Sequence, residues 1–169
     1  MTISMHAASV PVFKQMLGSL AALLDKAGSH AEARKIAPEV LLQARLFPDM
    51  FPLVRQVQIA CDFAKGVTAR LAGAEVPAYD DAEQSFEELR TRIDRTIAFN
   101  DSFDAAAFDG SEAREIVTRP GTPKERRFNG QDYLLGYGLP QFFFHVTTAY
   151  ALLRHNGVDV VKRDYMGAY

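Results

Sequence analysis

One cysteine, Cys61, stands among 169 residues. A lone thiol can form no internal disulfide, and it removes any CxxC redox or zinc reading. Nothing in its local sequence supplies the histidine or cationic neighbour of a reactive thiolate, so Cys61 is read as packing. No continuous apolar run approaches the roughly 18 residues of a membrane span. The formal net charge of -2 offers no broad basic field to a polyanion, so neither membrane nor nucleic acid is an expected partner. The N-terminal MTISMHAASV lacks the basic start and long apolar stretch of a signal peptide, which leads to the expectation of a cytoplasmic protein. Repeats and low-complexity tracts are missing too. So are a glycine-rich phosphate cradle, HExxH and GxSxG.

What the chain does have is apolar periodicity. With 48% hydrophobic and 24% charged residues, its composition is that of a globular protein, and its length suits a single domain over residues 1–169. In VPVFKQMLGSLAALLDKAG, the residues Val10, Phe13, Leu17, Leu20, Ala21 and Leu24 recur at three and four, one helical stripe. Pro11 suits its first turn and Gly28 its stop; the alternative is a start near Ser4 with a kink at Pro11, in which case His6 extends the stripe. Ser29 and Glu32 have capping-box spacing before a short turn, and Pro38 opens a short connecting helix. A second long helix runs from Pro52 to about Gly73. Arg55, Gln58, Asp62 and Lys65 form its wet face; Val54, Val57, Cys61, Ala64, Thr68 and Leu71 form its dry arc, with Gln56 among them. Ser85 and Glu88 cap a third helix carrying Phe86, Leu89, Ile93 and Ile97 and ending near Asn100.

The period then changes. REIVTR and KERRFN flank PGTP, which predicts a short hairpin. Its Arg114, Arg119, Lys124, Arg126 and Arg127 are interleaved with Glu112, Glu115 and Glu125, and are read as solvated, edge-protecting charge. Helical character returns at Gln131, with Gly136, Gly138 and Pro140 dividing a lead-in from a last helix that runs to about Asn156. An all-α fold follows: an antiparallel four-helix bundle with short connecting helices and a small β-hairpin before the last helix.

In FFFHVTTAYALLRHNG, His145 shares an inward arc with Phe142, Val146, Ala149, Leu152 and Leu153, while Thr147 and Arg154 lie across the axis. Gln141 stands one turn before it, so the two side chains can meet at one point. Gln56, an amide on a dry arc, must find a hydrogen bond and is the leading partner for His145. Two readings of His145 stay open: a core imidazole bonded to the second helix, or a site residue in the bundle interior.

With SVPVF, ARLFPDMFPL, RQVQIACDFAKG, FFFHVTTAYALLRHNGVDV and KRDYMG in this order, the chain resembles an uncharacterised domain family within the DinB-like four-helix-bundle superfamily. The resemblance implies an up-up-down-down bundle, homodimers and, in many members, a three-histidine metal site, with some members acting as thiol transferases. The last helix of the superfamily commonly carries HxxxH; here His145 matches the second position and Gln141 occupies the first. The second helix, the usual source of the third histidine, has Arg55, Gln56, Val57 and Gln58 instead. No cofactor is therefore expected. His145 is left as the lone candidate for a divalent metal, with His6 as a recruit of different geometry. Two functions are carried forward. The first is a small-molecule binder or degenerate transferase with its site between the second and last helices, around His145, Gln56, Gln141 and His6. The second is a non-catalytic, dimeric interaction or structural bundle whose polar core residues set helix register.

Overall fold

The computed structural model describes residues 3–168; of the single domain expected over 1–169, Met1, Thr2 and Tyr169 lie outside the described residues. Helix α1 spans Val10–Arg34, and its stripe from Val10 to Leu24 is buried as the periodicity predicts. The stop at Gly28 and the capping box at Ser29 and Glu32 are corrected: all three lie within α1. Ala27 and Ala31 continue the buried stripe, and one helical glycine, costing about 1 kcal/mol relative to alanine, does not outweigh that packing. The helix ends instead at Lys35, whose φ of 55° is left-handed, with the N–H of Ile36 reaching back to the carbonyl of Ala31. Residues 5–9 form turns rather than an extension of α1, and His6 lies on them.

Helix α2 is Pro38–Leu42. Helix α3, Leu53–Ala72, begins after Pro52 and stops at Gly73 as expected. Helix α4, Phe86–Asp101, has the expected cap, with the Ser85 hydroxyl accepting from the N–H of Glu88. A 3-10 turn over Ala105–Phe108 leads into the hairpin, β1 (Glu115–Thr118) paired antiparallel with β2 (Arg126–Asn129), Thr118 opposite Arg126. Then come α5 (Gly130–Asp132), a π-helical stretch over Tyr133–Gly138, α6 (Leu139–His155) and, last, α7 (Lys162–Met166). The division expected at Gly136, Gly138 and Pro140 is present, and a π-helical turn makes it. Gly138 and Leu139 keep right-handed backbone angles, and Pro140 falls in the first turn of α6, where a missing N–H costs little.

Helix α1 packs on α4 and α6, and α3 packs on the same two, so the four long helices enclose one core. Phe13 meets Phe142 edge-on at its centre, ring centroids 4.9 Å apart. Among the described residues, no helix is long and apolar enough to cross a membrane.

Half of the predicted wet face of α3 is dry. Gln58 and Lys65 are only 3% and 6% exposed, because residues 74–84 cross that face as a strap. Glu83 of the strap accepts from Gln58 Nε2 at 2.7 Å and from Arg92 Nη1 at 2.9 Å. Asp81 pairs with Arg55 and with Arg92. The Tyr79 ring lies under Lys65 Nζ, 4.5 Å from the centroid. Helical periodicity cannot announce a cover made by an irregular segment.

Candidate functional site

The α3 and α6 contact positions His145. A Cβ at Gly138 would stand 2.6 Å from Val67 Cγ2, so glycine is what lets the π-helical turn close on α3. Nearly two turns into α6, His145 Nδ1 lies 2.7 Å from Gln56 Oε1. Gln56 is 1% exposed, and its Nε2 donates to the carbonyl of Phe51 at 3.0 Å. With the amide nitrogen so used, Oε1 must accept, and the proton of a neutral His145 sits on Nδ1. That leaves Nε2 as a lone-pair acceptor, and among the described residues it has no hydrogen-bond partner. Burial, with help from the nearby Arg55 cation, lowers the His145 pKa to about 4, so the ring is neutral at physiological pH.

Beside this ring lies a cavity of about 750 Å³. Its aromatic wall is continuous: Tyr133 stacks on Tyr137 at 5.8 Å, Tyr137 meets Phe63 at 5.8 Å, and Phe63 stacks on His145 at 6.0 Å. The two tyrosines are four apart on the π-helical stretch, so the wider turn shapes the cavity wall. Arg55, Arg70, Arg119 and Arg126 also line it, with Asp62 and Gln141. Arg70 donates to the Tyr133 hydroxyl at 3.1 Å; burial raises the pKa of that phenol, though Arg70 opposes the rise.

The structure therefore brings Gln56, Gln141 and His145 together. It does not bring His6 to them: its ring packs edge-on against Phe108 at 5.1 Å and is not among the residues lining the cavity. Sequence reasoning missed the four arginines, Phe63 and both tyrosines. A signal for two of the arginines was present, since the hairpin glutamates are too few for its basic residues. Glu115 and Glu125 both pair with Arg127, which leaves Arg114, Lys124, Arg119 and Arg126 over, and the last two line the cavity.

Residues 5–166 match the family described as Domain of unknown function (DUF1993). The chain belongs to the DUF1993 family. It is also similar to a DinB family member protein from Shewanella denitrificans, whose crystal structure shares 41% sequence identity and a TM-score of 0.91, over 97% of this chain and 92% of that one. Among curated proteins nothing matches. The DinB-like bundle expected from the sequence is thus the fold of this DUF1993 protein.

The three-histidine metal set of DinB-like bundles does not fit the residues present. Around His145 stand two amides, Gln56 and Gln141, and Gln56 Oε1 already takes the Nδ1 proton. Among the described residues no group of three His, Cys, Asp or Glu side chains could hold a metal ion. The Arg55 cation beside the ring works against a second positive charge there. Cys61 offers no thiolate either. Burial raises its pKa to about 12.

Proposed function

We propose that this DUF1993 protein binds a small molecule in the cavity between α3 and α6, beside His145. The observation that carries the reading is the unequal use of the two ring nitrogens. Gln56 anchors Nδ1, while Nε2 is left without a partner among the described residues, next to about 750 Å³ of space, a volume within the usual range for small-molecule sites. A register-setting core histidine calls for a filled interior. Nε2 can accept from a ligand O–H or N–H, and Gln141 adds an amide at the same wall. An imidazole with a pKa near 4 is a poor proton acceptor at neutral pH, which favours binding, or a transferase scaffold without its metal, over general-base chemistry.

Histidine-detected NMR tests this reading. Titrating fragment-sized alcohols, amides and acids should move the His145 Nε2 resonance in the wild type, with the Nδ1 resonance nearly still. A fragment set that leaves Nε2 unmoved rejects the site.

We also read residues 1–169 as one cytoplasmic domain, a compartment in which the lone thiol of Cys61 stays reduced. Homodimerisation is favoured by exposed Phe47, Phe51 and Phe144, at 64%, 54% and 55%, apolar surface that a second copy would cover. Light scattering at micromolar concentration should give twice the chain mass; a monomer mass rejects the dimer.

A further inference from the structure

Resting on the cavity reading above, we infer that the ligand is an organic anion, an apolar or aromatic body bearing a carboxylate or phosphate headgroup, which Arg119 and Arg126 hold together with Arg70. Of the four arginines lining the cavity, Arg55 is paired with Asp81, and the other three have no carboxylate among the described residues. Asp62 is the one acidic residue lining it, and Asp62 is already committed to Arg92 at 2.9 Å and Lys65 at 3.0 Å. Among the described residues, Arg70 reaches only neutral oxygens, the Gly66 carbonyl and the Tyr133 hydroxyl, each at 3.1 Å. Among the described residues, Arg119 and Arg126 have no carboxylate within ion-pairing distance.

The hairpin is the decisive element. If its basic residues served only to protect an edge, its glutamates would be spread among them. Arg127 takes Glu115 and Glu125 instead, Arg114 turns back to the Leu71 carbonyl, and the remaining two arginines, Arg119 and Arg126, line the cavity. Arg126 stands directly opposite Thr118 in the ladder, and Arg119 follows Thr118, so strand register gathers both arginines at one end of the hairpin. Arg119 also has a φ of 51°, in the left-handed region that favours glycine, an unfavourable backbone kept at a cavity-lining position. A guanidinium fork matches both carboxylate and phosphate oxygens. Phe63, Tyr133 and Tyr137 suit the apolar body, and His145 Nε2 suits a hydroxyl or amide upon it.

Three naphthalene probes test the assignment on the full chain: 1-naphthoate, 1-naphthyl phosphate and the neutral 1-naphthalenemethanol. The chain has no tryptophan, so naphthalene fluorescence reports binding directly. At least one anion should bind at least tenfold tighter than the alcohol, and the tighter of the two anions identifies the headgroup. The double variant Arg119→Ala with Arg126→Ala should reduce that anion to the affinity of the alcohol, with circular dichroism unchanged, whereas Arg127→Ala should leave it alone. Equal affinity for alcohol and anions, or anion binding that survives the double variant, overturns the anion assignment while the cavity reading stands. Failure of all three probes to bind or to move the His145 Nε2 resonance overturns the cavity reading and the assignment together.

Discussion

Beneath the strap, Arg92 is 4% exposed and meets Asp62, Asp81 and Glu83 at 2.9 to 3.0 Å. Along the cavity, Arg70, Arg119 and Arg126 meet no carboxylate at all among the described residues. Both clusters adjoin α3, and both set arginine against tyrosine, Arg92 with Tyr79 and Arg70 with Tyr133. The difference lies in neutralisation. A desolvated guanidinium must be paired, and Arg92 is tied to α3 and to the strap by its three acids. A cation beside open space can wait for a partner from solution. The paired cluster has the marks of architecture and the unpaired one those of recognition, even though the residue types are nearly the same.

Removing Arg92 should have the largest effect. Arg92→Met would leave Glu83 without a cation under the strap and take one partner each from Asp62 and Asp81, which keep Lys65 and Arg55, and should destabilise the fold by about 3 kcal/mol. Arg126→Ala, at an exposed position, should change stability by less than about 0.5 kcal/mol. Urea melts of both variants measure the contrast. Equal losses would break the comparison, since both arginines would then be structural.

The His145 and Gln56 pair should come next. His145→Ala strands the Gln56 carbonyl oxygen in a buried position, and Gln56→Ala strands the ring N–H, so each should cost about 2 kcal/mol. In the double variant the loss should fall short of the sum by about 1 kcal/mol. Additive losses with no coupling would mean that the bond contributes nothing, and would remove the anchor on which the Nε2 geometry depends.

How much of this was legible in sequence depended on whether the signal was periodic. The inward arc of α6, the placement of Gln56 on the dry face of α3 and their pairing all follow from a 100° repeat, and the structure has them. The bundle and the hairpin before the last helix were legible for the same reason. The strap was not, because residues 74–84 have neither helical nor strand period, and without it Gln58 and Lys65 read as wet. Nor was the cavity. It arises where a hairpin end, a π-helical turn and α3 converge, and the wide turn at Tyr133–Gly138 looks in sequence like a glycine-broken helix. Arg119 and Arg126 therefore read as solvated charge, although the shortage of hairpin glutamates hinted otherwise. His6, in turn, was assigned by extending a helical stripe past Pro11, where the chain forms turns instead.

Acid should separate the two regions by pH window. His145 has a folded-state pKa of about 4 against an ordinary 6.5. As pH falls below 6.5 the unfolded chain gains a proton that the folded chain refuses, so the stability present above 6.5 drains away until about pH 4. Allowing for water in the cavity, the loss is about 2 kcal/mol. Burial alone would raise the Glu83 carboxyl, yet the hydrogen bonds from Arg92 and Gln58 hold it below the ordinary 4.5. Its contribution is therefore present above pH 4.5 and lost only below it. Denaturant midpoints measured from pH 7.5 to 3.5 should show both phases in the wild type. His145→Gln should flatten the upper phase and spare the lower; an upper phase that persists in this variant would place the responsible group elsewhere.

The smallest expected effect reverses the usual sign. Arg119 occupies a left-handed backbone conformation, φ 51°, at an exposed position with no carboxylate partner among the described residues. Glycine there should relieve the backbone while adding freedom to the unfolded chain, and the two effects nearly cancel to leave a net gain of about 0.5 kcal/mol. Because Arg119→Gly deletes one of the two hairpin cations at the cavity, the same change should weaken 1-naphthoate or 1-naphthyl phosphate binding about tenfold. Gly110→Ala is the mirror control: its φ of 70° puts strain into a turn that is not among the residues lining the cavity, so it should lower stability and leave binding intact. A stabilised Arg119→Gly that also binds the anions at full strength would show that the left-handed arginine is kept for neither stability nor recognition, and the contrast between paired and waiting cations would have to rest on Arg70 and Arg126 alone.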